Sequence, residues 1–207
     1  MKKNKYDVIV IGAGISGCVA AESLARAGAG VLCIESRPVG EEKVGECLPL
    51  TGQRLLVDSG LGHVLDSIHT SELCESYSNW GGTESSFPSI CNPYGESLLL
   101  DRPAFEKELR AVVRNSKCIL QEQCRHVRSL INTAQCSVSY EREGESITAT
   151  ADWILDCTGR SSHIAHQQGA YRRKHDALMA TWRIYGGLVG KQISSLVIES
   201  CSNGWFY

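Results

Sequence analysis

Long apolar runs are missing from this sequence. No stretch approaches the roughly eighteen consecutive apolar residues of a membrane-spanning helix, so no such helix is predicted. An excess of charge of one sign is missing too, since 21 basic and 23 acidic residues leave a formal net charge of −2. This balance gives no indication of nucleic acid or an acidic membrane surface as a partner. The 207 residues can bury a core in one or two domains.

Cysteine is plentiful, but its ten copies form none of the C-x-x-C pairs that are typical of metal and redox motifs. Cys18, Cys33 and Cys157 lie inside apolar runs, where a free thiol behaves as a small hydrophobic group. This usage predicts a reduced, cytoplasmic protein. The basic N-terminus followed by an apolar run superficially matches a signal peptide. Glycines interrupt that run, however, so no targeting segment is predicted.

The stretch from residue 6 to residue 28 has the pattern of a strand, a glycine turn and a helix. Its first six residues are rich in Val and Ile, which is typical of a buried parallel strand. Gly12, Gly14 and Gly17 follow at G-x-G-x-x-G spacing. The first permits a tight turn, the second lets the backbone approach a pyrophosphate, and the third lets the helix pack closely on the strand. A helix beginning near Ile15 would offer N–H groups and a positive dipole end to that pyrophosphate.

A second apolar run, Val31–Ile34, ends in Glu35. Glu35 follows Gly17 at close to the spacing of about 20 residues expected for a carboxylate that holds a ribose hydroxyl. The patterns therefore predict an α/β, Rossmann-like dinucleotide-binding domain. A glycine-rich βαβ unit that binds nothing is the structural alternative. NAD(P) is an alternative nucleotide, although a carboxylate at this position argues against a 2′-phosphate.

The rest of the chain alternates between helical and strand-like segments. Residues 39–49 are rich in glycine and charge, which predicts a functional loop. A helix is predicted over 51–59, and another begins at Asp101-Arg102-Pro103 with one buried stripe. Short strands are predicted over 73–80, 97–100, 124–131, 134–141, 146–151, 178–185, 194–200 and 205–207. A further buried strand, 152–157, runs into a turn at Gly159, which is what a second approach to the nucleotide would look like.

Four segments together carry a resemblance to a known family: 8–17, Val44-Gly45-Glu46, 101–105 and 156–162. They resemble FAD-dependent oxidoreductases of the hydroxylase type. The branch that is most similar is the tryptophan-halogenase-like group, which includes flavoproteins that modify tryptophan in quinone-cofactor oxidases. Residues 92–95 and 203–207 also look like that branch.

The resemblance implies FAD as the cofactor and a role for particular residues. The three glycines of the first turn would cradle the FAD pyrophosphate, and Glu35 would bind the adenosine ribose. The Gly45-Glu46 loop would lie near the flavin ring, Arg102 would contact FAD, and Gly159 would sit in the turn near the cofactor. As alternatives, Arg102 is a first-turn residue that packs its stem, and Glu46 is a solvated loop acid. The predicted cofactor-binding residues are Gly12, Ala13, Gly14, Ser16, Gly17, Glu35, Gly45, Glu46, Arg102 and Gly159.

The resemblance also implies a monooxygenase-type reaction on an aromatic, tryptophan-like group. That group would belong to a small molecule or to a partner protein, with a flavin reductase or NAD(P)H as electron source. Halogenases of this group use a lysine to handle the oxidised halide, but residues 44–106 contain no lysine. A halogenase is therefore the disfavoured alternative. No catalytic acid or base is assigned.

The resemblance implies an FAD-binding domain interleaved with an incomplete β-sheet substrate domain. The FAD-binding parts are predicted at 1–70 and 101–172, and the substrate-domain strands at 71–100 and 173–207. The aromatic ending Trp205-Phe206-Tyr207 predicts an interrupted chain, since family members continue with a Gly-Asp segment that binds the flavin. A truncated, non-catalytic nucleotide-binding fragment is thus a further alternative.

Two smaller sets of residues complete the predictions. His163 and His166 have metal-like spacing but no evident acid or cysteine partner, so no metal site is predicted. Trp80 and Trp205 are candidates for lining a substrate cavity, with an ordinary core position as the alternative.

Overall fold

The computed structural model describes residues 5–40, 43–44, 47–92, 95–132, 135–183 and 195–207. The chain divides into two compact units. The first unit comprises Met1–Glu41 and Glu106–Leu178, and the second unit comprises Glu42–Phe105 and Met179–Tyr207. Residues 42–70 thus group with the second unit, whereas the sequence patterns placed them in the first part of the FAD-binding domain. The assignment of FAD-binding and substrate roles to these segments stays a prediction.

The secondary structure follows the chain in short elements. The helices are α1 (Ile15–Arg26), α2 (Leu50–Asp58), α3 (His63–Asp66), α4 (Arg102–Asn115) and α5 (His163–Gln167), with 3-10 turns at Ser89–Cys91 and Gly159–Ser161. The strands are β1 (Lys5–Ile11), β2 (Val31–Ile34), β3 (Cys47–Leu48), β4 (Thr70–Glu72), β5 (Glu75–Trp80), β6 (Thr83–Pro88), β7 (Leu98–Leu100), β8 (Ile119–Gln121), β9 (Arg125–Ile131), β10 (Cys136–Arg142), β11 (Glu145–Asp156), β12 (Ser195–Cys201) and β13 (Gly204–Phe206).

The first unit is built on a six-stranded sheet in the order β8-β2-β1-β11-β10-β9. Strands β8, β2, β1 and β11 run parallel, and β10 and β9 continue the sheet antiparallel. Ile9, Val10 and Leu32 are fully buried at its centre. Helix α1 packs on β1 and β2 with small residues, Cys18, Ala21 and Ala25, buried along its inner side. This arrangement confirms the predicted α/β, Rossmann-like fold.

Strand β11 corrects two predictions. The predicted strands 146–151 and 152–157 are one continuous strand of 12 residues, which pairs with β10 on one side and β1 on the other. The prediction that 152–157 is a buried strand is wrong, because none of these six residues is buried and Trp153 is 72% exposed. Trp153 pairs with Val8, and Val8 is buried. Helix α1 packs on β1 and β2, whereas Trp153 on β11 stays exposed.

The second unit contains two small sheets. Strands β13-β12-β5-β6 form one, in which β12 runs parallel to β5, and β3-β7-β4 form the other. The predicted strand at 178–185 is wrong over 178–183, which lie outside any strand; residues 184 and 185 lie outside the described residues. Within the described parts of the chain, no helix has the length and apolar character needed to span a membrane.

Candidate FAD-binding site

The candidate site lies where the carboxyl ends of the central parallel strands meet. Strand β1 ends at Ile11, which is paired with Ile34 of β2 and with Asp156 of β11. The Gly12 N–H donates to the Ile34 carbonyl at 2.7 Å. The Cys157 N–H donates to the Ile11 carbonyl at 2.8 Å. The glycine turn, Glu35 and the turn after β11 therefore come together at the edge where open α/β sheets bind their ligands.

Two of the three turn glycines have no room for a side chain. Gly12 has φ +101°, and a Cβ atom there would lie 2.4 Å from the Cys157 carbonyl oxygen. A Cβ atom on Gly17 would lie 1.8 Å from the Gly12 carbonyl oxygen. Both distances are far below van der Waals contact with backbone atoms, which have little freedom to shift. These glycines hold the strand, the turn and the helix together.

Gly14 differs from Gly12 and Gly17 because its surroundings are open. A Cβ atom there would have no heavy atom of the described residues within 4 Å. Gly14 is the N-cap of α1, and within that fully described helix no side chain caps the start and no acidic residue occupies the first turn. Ser16 lies exposed in the same first turn. The start of α1 therefore offers space, N–H groups and a positive dipole end, which suit the diphosphate of FAD.

Glu35 is a buried carboxylate, 8% exposed, beside this turn. Its Oε2 accepts the Ala13 N–H at 2.7 Å, and its Oε1 accepts the Arg37 N–H at 2.7 Å. The Ser36 hydroxyl lies 3.5 Å from the same Oε1, and the Arg110 guanidinium lies 3.6 Å from the same Oε2. Glu35 thus lies beside the glycine turn, and its binding to the adenosine ribose stays a prediction.

Arg110 was not found by the sequence patterns. It lies on α4 and is 1% exposed. Its Nη2 lies 3.6 Å from Glu35 Oε2, and its Nε donates to the Ala13 carbonyl at 3.0 Å. The available signal was its position between Leu109 and Val113, two residues of the predicted buried stripe. A long charged side chain next to such a stripe is ordinarily taken as solvated.

Cys18 supports the same turn as a neutral thiol. Its Sγ donates to the Ala13 carbonyl at 3.3 Å. Burial, the largest influence, raises the pKa of Cys18 to about 12, although the charge of Arg110 acts against it. The thiol therefore stays protonated at neutral pH and serves as a hydrogen-bond donor.

Asp156 organises the second turn, after β11. Its Oδ1 accepts from the Thr158 hydroxyl at 2.6 Å and the Thr158 N–H at 3.1 Å, and its Oδ2 accepts the Ala165 N–H at 2.9 Å. Partial burial acts to raise the pKa of Asp156, but the hydrogen bonds outweigh it and hold the pKa below its usual range. The carboxylate thus ties the Thr158-Gly159 turn to helix α5.

We expect Asp156→Asn to lower the free energy of unfolding by about 1 kcal/mol at neutral pH, because an amide replaces one acceptor with a donor facing N–H groups. The lowered pKa means that the wild-type advantage is present above the unfolded-state pKa of about 3.9 and is lost as pH falls through the folded-state value. Urea unfolding of both proteins from pH 3 to pH 8 measures this. A difference that grows as pH falls would contradict the assignment.

Of the remaining predicted site residues, one lies in this second turn, one belongs to the second unit and two are not described. Gly159, with φ +64°, begins a 3-10 turn, and a Cβ there would meet no described atom within 4 Å. Arg102 belongs to the second unit, where its Nη1 donates to the Val44 carbonyl at 3.3 Å. Gly45 and Glu46 lie outside the described residues. The contacts of these residues with FAD stay predictions.

The two histidines of the H-x-x-H spacing bond to backbone carbonyls. His163 Nε2 lies 2.9 Å from the Val127 oxygen, and His166 Nδ1 lies 2.8 Å from the Ala170 oxygen. In the part of the chain that the structure describes, no group of three or more His, Cys, Asp or Glu residues is arranged to hold a metal ion.

Comparison with known proteins agrees with the geometry. The profile of the FAD binding domain family matches residues 5–202. A digeranylgeranylglycerophospholipid reductase from Methanocella arvoryzae is 25% identical over 181 residues, which cover 81% of this chain and 42% of that protein.

Solved structures show the same fold. A myxobacterial chondrochloren halogenase has a TM-score of 0.70 and 22% identity, with 79% of this chain and 39% of that chain covered. A p-nitrophenol 4-monooxygenase from Pseudomonas putida has a TM-score of 0.69 and 16% identity, with 80% and 44% covered. The chain thus spans less than half the length of each of these three proteins. With the turn, Glu35 and the open start of α1 in place, this chain belongs to the FAD binding domain family, and FAD is its cofactor.

Proposed function

We propose that this chain is the FAD-binding part of a monooxygenase-type oxidoreductase that acts on an aromatic, tryptophan-like group. The observation that carries the proposal is the turn at Gly14 beside the buried Glu35, which suits the ADP half of FAD. Family membership supports the cofactor. The similar proteins named above include a reductase, an FAD-dependent halogenase and a monooxygenase, which supports an oxidoreductase.

FAD, when bound, supplies the redox chemistry, and the residues of this chain bind and orient it. The open start of α1 would hold the diphosphate, and Glu35 would accept from the ribose hydroxyls. The absence of lysine from 44–106 favours oxygen transfer over halogenation. All ten cysteines are free thiols, which supports the proposal of a reducing, cytoplasmic location.

An exposed aromatic pair in the second unit supports an aromatic substrate. Trp80 of β5 and Trp205 of β13 lie with ring centroids 6.2 Å apart and planes tilted by 49°. The two side chains are 54% and 50% exposed. Exposed indole rings stack favourably on another aromatic ring, by about 0.5–1.5 kcal/mol for a pair. We therefore propose that this pair contacts the tryptophan-like group, either as a free molecule or on a partner protein.

The test is oxygen transfer by the FAD-loaded chain. We expect NAD(P)H, a flavin reductase and ¹⁸O₂ to produce a labelled product from tryptophan or from a tryptophan-containing peptide, detected by mass spectrometry. Trp80→Ala should weaken substrate binding about 3- to 10-fold. Phe87→Ala is the matched control, because Phe87 is an exposed aromatic residue on the neighbouring strand β6.

Three outcomes would change the proposal. A chlorinated product formed only with chloride would indicate the halogenase alternative. FAD bound at one equivalent without any turnover would indicate the non-catalytic nucleotide-binding alternative. Equal losses for Trp80→Ala and Phe87→Ala would remove the aromatic pair from the substrate site.

A further inference from the structure

The side chain of Arg110 is unusual because a guanidinium group is buried among the residues that shape the nucleotide site. Arginine is almost never fully buried unless it is paired. Removing a charge of this kind from water costs several kcal/mol before partners offset it. The partners of Arg110 therefore account for its position.

Three of those partners belong to two loops. The Arg110 Nε donates to the Ala13 carbonyl at 3.0 Å, and Ala13 lies in the glycine turn. The Arg110 Nη1 donates to the Arg37 carbonyl at 3.0 Å, and Arg37 lies in the loop after β2. The same guanidinium also pairs with Glu35 at 3.6 Å. One side chain thus connects the turn suited to the diphosphate with the loop that carries Glu35, the proposed ribose-binding acid.

The contact at Ala13 also sets the direction of a neighbouring N–H. The Ala13 carbonyl and the Gly14 N–H belong to one planar trans peptide, so they point in opposite directions. Because Arg110 and Cys18 both donate to the Ala13 oxygen, the Gly14 N–H is turned away from them. On the other side of Ala13, Glu35 holds the N–H. The backbone of the turn is therefore oriented before any ligand arrives.

A second carboxylate, that of Glu122, also contacts the guanidinium of Arg110. Glu122 Oε1 accepts from Arg110 Nη1 at 3.3 Å, and Glu122 Oε2 accepts from Arg114 Nη2 at 2.7 Å. Partial burial acts to raise the pKa of Glu122, but the hydrogen bonds from Arg114 and Arg110 hold it below its usual range. Arg114 is half-exposed and pairs with Glu122 from the outer side. It therefore provides a matched control for Arg110.

We propose that Arg110 is a positioning residue for FAD, which acts by holding the Ala13 carbonyl, the Arg37 carbonyl and Glu35 in the geometry that receives the ADP half of the cofactor. This inference rests on FAD binding at the turn and not on the proposed reaction. It is tested by binding alone, so a failure of the monooxygenase proposal leaves it intact.

The experiment compares Arg110→Met, Arg110→Lys and Arg114→Met in the full 207-residue chain. The dissociation constants of FAD and of ADP are measured by titration, and the melting temperature of each protein is measured without ligand. Arg110→Met should weaken FAD binding about 30-fold, which is the loss expected for charge-assisted hydrogen bonds. The FAD affinity of Arg110→Lys should lie between those of the wild type and Arg110→Met, because one ammonium group cannot reproduce the several N–H donors of a guanidinium group. The FAD affinity of Arg114→Met should stay within about twofold of the wild-type value.

A purely structural role would not reproduce two further results. ADP affinity should fall by the same factor as FAD affinity, since the contacts serve the ADP half. The effect of Arg110→Met should also shrink in a Glu35→Gln background, because the two side chains act on the same turn. If Arg110→Met does not fold, Arg110→Lys decides. Unchanged FAD affinity in a folded Arg110 variant, or a loss for FAD without a loss for ADP, would overturn the proposal.

Discussion

Gly17→Ala is expected to abolish FAD binding together with the cooperative unfolding of the first unit. The added Cβ would lie 1.8 Å from the Gly12 carbonyl oxygen and 3.3 Å from the Cys157 Cβ. The oxygen is part of the backbone and cannot rotate away, so either α1 or the turn has to move off the sheet. Overpacking of a core typically costs about 1–3 kcal/mol, and a backbone clash this close belongs above that range.

Gly14→Ala is the matched control for the same turn. Its φ of −74° is open to alanine, and no described atom lies within 4 Å of the new Cβ. We expect the melting temperature to stay near that of the wild type, because the change costs only the N-cap preference of about 1 kcal/mol or less. FAD affinity should still fall, since the methyl group enters the space proposed for the diphosphate.

Thermal unfolding followed by circular dichroism and FAD quantified by absorbance separate the two effects. Gly17→Ala should lose both the cooperative unfolding transition and the bound FAD. Gly14→Ala should lose only the bound FAD. Equal behaviour of the two variants would mean that the turn is not divided into a packing glycine and a ligand-facing glycine.

Glu35→Ala is the second large effect that we expect. The substitution removes the acceptor of the Ala13 and Arg37 N–H groups and a carboxylate that pairs with Arg110. Breaking a buried ion pair by removing one partner typically costs about 3–5 kcal/mol. Because Glu122 still pairs with Arg110, we expect a loss of stability at the lower end of this range, about 3 kcal/mol. FAD affinity should fall by about 100-fold, as the ribose loses its charged acceptor.

Urea unfolding with and without FAD measures both losses. Glu141→Ala is the control: its carboxylate is exposed and lies 3.8 Å from His126, so its removal should change stability by less than about 1 kcal/mol. If Glu35→Ala unfolds like wild type but loses FAD, the carboxylate serves the ligand alone. If it keeps full FAD affinity, the ribose assignment is wrong.

Local sequence patterns predicted those features of the protein that depend on residues close in sequence. The first strand, the glycine turn and α1 are one continuous stretch in which spacing and conformational demand coincide. Glu35 was found because the βαβ unit has a nearly constant length. The start of α4 at Arg102 follows from proline in the first turn, and the structure begins the helix there.

Contacts distant in sequence were not accessible in the same way. Arg110 lies 97 residues from Ala13, and nothing in its own neighbourhood distinguishes it from a solvated arginine. Trp153 looked buried because its strand is apolar, but its exposure depends on what packs against that strand. Whether 146–151 and 152–157 are one strand or two was decided by pairing with β10 and β1 together.

The sequence by itself determined the glycine turn, the acid that follows β2 and the α/β class. Each of these depends on short-range residue spacing and on the periodicity of hydrophobic residues. Only the tertiary structure decided which charges are buried against that turn, since burial and ion pairing arise when distant segments meet. For this protein, the position of Arg110 between the two loops belongs to that second kind of information.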